Sequence, residues 1–546
     1  MPNHDERVFF RTPSWLRPTL LLALLLAALL LTHCSAPNEQ LDAAARWWSH
    51  IEYLASDERQ GRVTGSEGYQ QAAQYVADQF RELGLEEAGT KGYFQPIEFE
   101  TRRLAEEASS LEFVRGGATI QFELGEQATL GRAGVSDETV EAEMVFVGYG
   151  MTIPEHGYDG FSGLDVKGKV IVTLRGAAQG VPGALASHYQ SRDERRRLLE
   201  RVGAIGSATI LNPRIMEIPW ERASKFRLQT GMDLADPELS QDGGSKLSFT
   251  INPDYGDWFL ADAPHSLTEI LALDAAGKPL PKFAIPGKIR AQIGLDQSRA
   301  SSPNVLGVLR GADAALSDEY VLLSAHLDHL GVGEPVAGDR INNGALDNAS
   351  GVATLIEVAR ALQQAEQPLK RSVVLLACTA EEKGLLGSRY YAAKPTVEME
   401  KVVANLNFDM YLPIVPLRAV MALGAEESDL GDALRAVAGE AGLEVQPDPE
   451  PARNRFIRSD QYNFIKQGVP ALAFKFGVEP GSADEEAMTA WYRDRYHSPS
   501  DDLSQPVNKE GAVEFNRLMV ALVARIANAD KRPEWRAESF FRRFTE

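Results

Sequence analysis

Two adjacent carboxylates, Glu381 and Glu382, stand where the aliphatic run "LLACTAEE" gives way to the glycine-punctuated "KGLLGS". Like charges side by side repel, and a buried unpaired carboxylate is expensive, so a positive partner is required: an arginine, a lysine or a metal. Other apolar runs deliver metal-capable side chains in the same manner. "YVLLSAHLDHLG" brings His326, Asp328 and His329, and "NNGALDNASG" brings Asp347. "NLNFDM" brings Asp409, and "RYHSPSDD" brings Tyr496 and His497. Two histidines with several carboxylates suit zinc, with cobalt or manganese as alternatives. One ion with three or four ligands would leave carboxylates over. Two ions sharing Asp347 employ His326, Asp347, Glu382, Asp409 and His497 and leave Glu381 spare. Neighbours on an extended chain point in different directions, so Glu381 can face the water between the ions. Asp328, two residues past His326 on an extended chain, is placed to hold the far imidazole nitrogen. His329 reads as supporting or structural. Asp347 could cap the helix after it, but Asn348 can do so instead and free Asp347 for the site.

The elements that must position these groups are legible from periodicity. From about residue 303, "NVLGVLRG", "YVLLSAH", "SVVLLAC", "VVANLNF" and "PALAFKF" suit strands buried on both faces. "NASGVATLIEVARALQQ" sets Val352, Leu355, Ile356, Ala359 and Leu362 on one helical face. The fold class is therefore α/β, a mixed, largely parallel central sheet flanked by helices, with functional groups gathered where strands end. Upstream, "SEGYQQAAQYVADQFRELGL" predicts a helix capped by Ser66, ended at Gly84 and buried along Tyr69, Ala72, Ala73, Val76, Phe80 and Leu83. Trp47 and Trp48 read as packing. Between about 125 and 295, short β-like runs such as "AEMVFVGYG" and "GKVIVTLRG" alternate with glycine, proline and acidic loops. This stretch predicts a separate, mostly β domain inserted into the other, with His156, His188 and His265 structural or exposed. The resulting division is 1–34 signal, 40–125 first part of the α/β domain, 126–295 insert, 296–530 second part and 531–546 tail.

A chain of 546 residues is too long for one core. Its net charge of −21 argues against nucleic acid as a partner, because phosphate binding needs a basic face. Only Cys34 and Cys378 are present, which excludes an internal disulfide framework, and Cys378 lies in an apolar run as a small core residue. Arg7, Arg11 and Arg17 precede the apolar run at 20–32, the pattern of a secretion signal, and the run is short for a spanning helix. It stops at "LTHCS", which resembles a bacterial lipoprotein signal with Cys34 as the lipidated residue, although His33 stands where a small residue is usual. An ordinary signal peptide with an incidental cysteine and an uncleaved anchor are the alternatives. The expectation is an exported protein, periplasmic or outer-membrane-tethered in a bacterium, or secreted.

The ordered set "AHLDHLG", "NNGALDNASG", "TAEEKGLLGS", "NFDM", "SDQYNFIKQGVPAL" and "YHSPSDD" resembles the zinc aminopeptidases of metallopeptidase family 28. The upstream "YLASDERQGRVTGSEGY" resembles the segment that opens their domain. Coverage is roughly 45–100 and 300–525. The middle resembles the protease-associated domain that many members carry as an insertion, best in "GYDGFSGLDVKGKVIVTLRG". The resemblance implies a zinc-peptidase fold and two zinc ions. His326, Asp409 and the bridging Asp347 would hold one; His497, Glu382 and the same Asp347 the other. It implies Glu381 as general base, Asp328 as the residue orienting His326, Tyr496 as an aid to the oxyanion, and an Asp347–Asn348 peptide that is often cis.

The expected function is hydrolysis of a terminal peptide bond, first as an aminopeptidase, with peptides as substrates. A carboxypeptidase would need basic residues for the substrate carboxylate, for which Arg340, Arg455 and Arg458 lie near the motifs. Amide-processing relatives, including glutaminyl cyclases, are a further enzyme reading. A surface binding protein with a structural metal site is the reading of another class. The spare Glu381 speaks against it, because a closed structural site has no use for an unbound carboxylate.

Overall fold

The computed structural model describes residues 40–545 except 135–137, 242, 244, 451, 452 and 454; the segment with Cys34 lies outside the described residues. A long mixed sheet forms the spine. Its central strands are β1 (Phe94–Leu104), β2 (Leu295–Leu309), β3 (Tyr320–His326), β4 (Ser372–Cys378), β5 (Val402–Asn407) and β6 (Ala471–Gly477). They lie in the order β1-β2-β4-β3-β5-β6. The strands β4, β3, β5 and β6 run parallel, whereas β1 and β2 are antiparallel to their neighbours. The sheet is thus parallel at its centre and antiparallel on its flanks. Every residue of β3, β4 and β5 is buried, as expected of strands covered on both faces.

Helices α1 (Glu67–Glu82), α2 (Ser350–Gln363) and α3 (Lys509–Asn528) cover one face. Their stripes meet the sheet through Val76 and Phe80, Val352 and Ile356, and Phe515 and Leu522, all buried. Each such side chain contributes about 1.5–3 kcal/mol on removal from water. Ser66 caps α1 by accepting the Tyr69 N–H at 3.1 Å, and Gly84 comes next at φ +72°. Trp47 is fully buried and donates to Thr354 Oγ1 at 3.2 Å. Residues 531–545 are no loose tail. Trp535 donates to the Gly468 carbonyl at 2.8 Å, and the fully buried Phe541 packs on Phe456 and Trp535.

A second, eight-stranded sheet has its own core around Phe113, Phe146, Phe249 and Phe259. Its strands fall between Ser110 and Gln292, so it begins ahead of residue 126. Three helices, Gly183–Gln190, Arg192–Val202 and Leu267–Ala275, accompany the strands. One short strand from this stretch, Gly231–Leu234, leaves it and pairs with β1 as an edge of the main sheet. Among the described residues no helix is long and apolar enough to cross a membrane.

Candidate metal centre

Parallel strands bring their C-terminal ends to one edge, and there the side chains converge. His326 is the last residue of β3 and lies opposite Cys378, the last of β4. Glu381 and Glu382 stand three and four residues beyond. Asp409 stands just past Asn407, which pairs with Ser324 of β3. Asp347 precedes α2. Its loop is bent at Gly344, φ +62°, where a Cβ would lie 2.2 Å from the Asp347 carbonyl oxygen. The Asp347–Asn348 peptide is cis. Asn348 opens α2, its Oδ1 accepting the Gly351 N–H at 3.1 Å, and Asp347 is left to point into the site. Three residues at the rim, Ala380, Met410 and His497, hold positive φ values of 50–55°. Such conformations cost about 1–3 kcal/mol each and persist where surrounding structure enforces them.

Asp347 is the hub. Its Oδ1 lies 3.2 Å from His326 Nε2, and its Oδ2 lies 3.3 Å from His497 Nε2. Asp409 Oδ1 is 3.3 Å from His326 Nε2, and Glu382 Oε2 is 3.3 Å from His497 Nε2. Glu381 shares a second close grouping with His326 and Asp409. All six line one cavity of about 280 Å³, together with Tyr496. His329, fully buried, donates from Nδ1 to Glu382 at 2.8 Å. Its Nε2 and the Asp347 Oδ2 are buried without a hydrogen-bond partner.

Asp328 departs from expectation. His326 Nδ1 donates at 3.0 Å to the backbone carbonyl of Asp328, not to its carboxylate. The chain has left the strand after His326, so the alternation of an extended segment no longer applies. The carboxylate instead accepts the backbone N–H groups of Glu381 at 3.0 Å and Glu382 at 3.3 Å, and the Thr64 hydroxyl at 3.1 Å. Asp328 thus positions both glutamates as well as the histidine.

Other groups carried no signal in the spacing. Asp501 accepts the N–H groups of Leu346 and Asp347, both at 2.9 Å, and so fixes the Asp347 loop. Arg62, fully buried, donates to the carbonyls of Leu327, Leu54, Asn343 and Gly344 at 2.6–3.0 Å. Burial brings its pKa down to about 10, against the pull of Asp501, Asp328, Asp347 and Glu382. Both residues fall inside motif stretches of the sequence, but only the fold reveals their partners. A third is Glu217, from the second sheet's side of the molecule. Its carboxylate meets Arg458 at 2.8 Å, Arg453 at 3.2 Å and Arg455 at 3.4 Å. Arg458 in turn donates to the Tyr496 hydroxyl at 3.3 Å, and the Tyr496 ring lies 3.9 Å from that of His497. Of the three arginines singled out from sequence, Arg455 and Arg458 line the site cavity. Arg340 is exposed, donates to the Gly333 carbonyl and lines a neighbouring cavity that His497 also borders.

The electrostatics are lopsided. Seven carboxyl groups, Asp328, Asp347, Glu381, Glu382, Asp409, Asp460 and Asp501, outnumber the Arg62 guanidinium, the Lys383 and Lys475 ammonium groups and three imidazoles around them. Burial pushes Glu381 well above the usual carboxylate range; Asp409, Glu382 and Asp460 add to this, and His326 opposes it. Burial likewise lifts Asp460 to about 6. Such an excess of negative charge, with an orphaned carboxylate oxygen at its hub, fits bound cations.

Comparison with known proteins agrees with this chemistry. Residues 304–523 match the model of Peptidase family M28. A protein of Aspergillus oryzae named probable leucine aminopeptidase 2 is 29% identical over 270 residues, covering 46% of this chain and 50% of that protein. Leucine aminopeptidase 2 of Trichophyton rubrum is 31% identical over 264 residues, covering 45% and 49%. The chain spans about half the length of the curated relatives it matches. Among solved structures, the aminopeptidase from Aneurinibacillus sp. strain AM-1 shares the fold with a TM-score of 0.55 at 20% identity, over 90% of this chain and 95% of that chain.

Proposed function

We propose that the chain is an exported di-zinc exopeptidase, an aminopeptidase that removes the N-terminal residue of peptides. The observation that carries this reading is the spacing around Asp347. Each imidazole Nε2 sits 3.2–3.3 Å from two carboxylate oxygens, one of them from Asp347. A four-coordinate zinc with bonds of ~2.0 Å has ligand-to-ligand edges of ~3.3 Å. Each imidazole therefore stands at the spacing of a tetrahedral edge from both of its carboxylates. In this reading His326, Asp409 and Asp347 hold one ion, and His497, Glu382 and Asp347 hold the other. When bound, the ions would acidify water and polarise the scissile carbonyl. Glu381, on the same cavity, takes the proton of the attacking water and passes it to the leaving amine. Tyr496, its hydroxyl held by Arg458, donates to the developing oxyanion. Arg455 and Arg458 are already paired with Glu217, which favours an aminopeptidase over a carboxypeptidase. The relatives' names support the same choice. Export rests on the arginine-flanked apolar run at 20–32, and the sheet between Ser110 and Gln292 is read as a protease-associated insert.

The test is metal analysis of the purified chain paired with cleavage of aminoacyl and N-blocked peptides. About two zinc ions per chain and chelator-sensitive cleavage of free-amine substrates alone are expected. Cleavage of N-blocked substrates instead would overturn the aminopeptidase reading.

A further inference from the structure

A second cavity, of about 690 Å³, reaches the metal centre at the side of Glu382 and His497. Six cationic side chains line it: Arg102, Arg132, Arg192, Arg195, Arg196 and Lys383. Only three carboxylates do so, and each is engaged. Glu100 pairs with Arg299 at 2.8 Å, Asp233 accepts from Ser240 and Gln241, and Glu382 belongs to the metal centre. In a chain of net charge −21, this concentration of positive charge is local and opposite to the whole. Among the described residues, neither Arg195 nor Lys383 has a side-chain hydrogen bond or ion pair. The charged neighbour nearest in effect to Arg195 is another cation, Arg175. Arg196 pairs with Glu200 at 2.7 Å, but positive side chains still outnumber negative ones on the cavity wall, which suits an anion.

The two cavities meet at Glu382 and His497, so a peptide crossing the site can occupy both. The smaller, of about 280 Å³, has apolar walls from Leu385, Met410, Leu423 and Ala473 and suits one residue. The larger suits the residues on the C-terminal side of the scissile bond. From this geometry we infer that the basic cavity binds carboxylates on the leaving side of the substrate, so that short peptides with a free C-terminus or an acidic second or third residue are preferred. The inference rests on the aminopeptidase reading above and adds its substrate class.

The test compares kcat/KM of the zinc-loaded chain for Leu-Gly-Gly, its C-terminal amide and the amide of Leu-Glu-Gly. The free acid and the glutamate peptide are expected to exceed the neutral amide by about tenfold, mainly through KM. The ratio is expected to fall to about two or less on raising salt to about 0.5 M, and likewise in Arg195→Gln and, separately, Arg192→Gln. The exposed Arg418→Gln serves as the control that keeps the ratio. Because the salt series uses the unaltered chain, misfolding of a variant does not spoil the test. Cleavage of all three peptides without charge preference overturns this inference alone. No cleavage of any peptide overturns it together with the function it rests on.

Discussion

The candidate metal centre and the arginine cluster at Glu217 lie side by side and are built with different charge balances. At the sheet edge, seven carboxyl groups outnumber one guanidinium, two ammonium groups and three imidazoles. A few residues away, three arginines meet three carboxylates: Glu217 faces all of them, Glu450 pairs with Arg453 and Arg455, and Asp448 lies near Arg455. Burial pushes the Glu217 carboxyl up, but Arg458, Arg455 and Arg453 outweigh it and hold it at about 2. Chain-supplied charges settle the second region; in the proposed function, bound cations settle the first. A buried charge cluster that its own neighbours neutralise is architecture, and one that they leave unbalanced is a site.

Experiments can break this contrast, beginning with the largest effect. Glu381→Gln is expected to lower kcat by about 10²–10⁴-fold while both metals remain bound, measured by steady-state kinetics with elemental analysis. Turnover near the unaltered rate would remove Glu381 as the base. Next, Glu382→Gln and His497→Ala are expected to bring zinc from about two ions to about one. Chelation is expected to lower the apparent Tm by several degrees, with recovery on adding zinc, because ligands that bind only the native state stabilise it.

Glu217→Gln sharpens the other side. It removes the one carboxylate that pairs with Arg458, while Arg453 and Arg455 keep Glu450, a loss on the order of 3 kcal/mol at neutral pH. The sign comes from the lowered pKa. As pH falls below the ordinary value of 4.5, the unfolded chain takes up a proton that the folded carboxylate refuses until about 2. Its stabilisation is therefore complete above about pH 4.5 and lost toward pH 2, and the variant is expected to show a flatter acid limb in Tm. A parallel acid limb would assign that loss to other groups. Smallest of all, Arg340→Ala, whose side chain is exposed and does not line the cavity of the six metal-capable groups, is expected to change stability by less than about 0.5 kcal/mol and kcat hardly at all.

Much of this was legible before the fold. Residues of β3, β4 and β5 announced strands by unbroken aliphatic runs, and parallel strands must deliver their trailing residues to one edge. That logic brought His326, Glu381, Glu382 and Asp409 together in prospect. It failed where direction depends on the chain leaving a strand, as with the Asp328 carboxylate. It was also silent on Glu217, which meets Arg458 across 241 positions of sequence. No local spacing encodes such a pair, and neither periodicity nor motif marks it. The same holds for Arg62, whose worth lies in four carbonyls from distant loops. The second sheet was read as starting too late, since Ser110–Arg115 joins it by pairing with Lys288–Gln292, far along the chain.

The short strand Gly231–Leu234 has a practical bearing on any attempt to trim the molecule. It hydrogen-bonds to Phe99–Arg102 and so covers part of an outer margin of the main sheet. Excising 126–295 as a self-contained block would strip that cover and leave an eleven-residue strand with bare amides and carbonyls, an invitation to intermolecular pairing. A shortened chain of that kind is expected to associate into insoluble material even with every catalytic side chain intact. Retaining 231–234 on a linker would be the remedy.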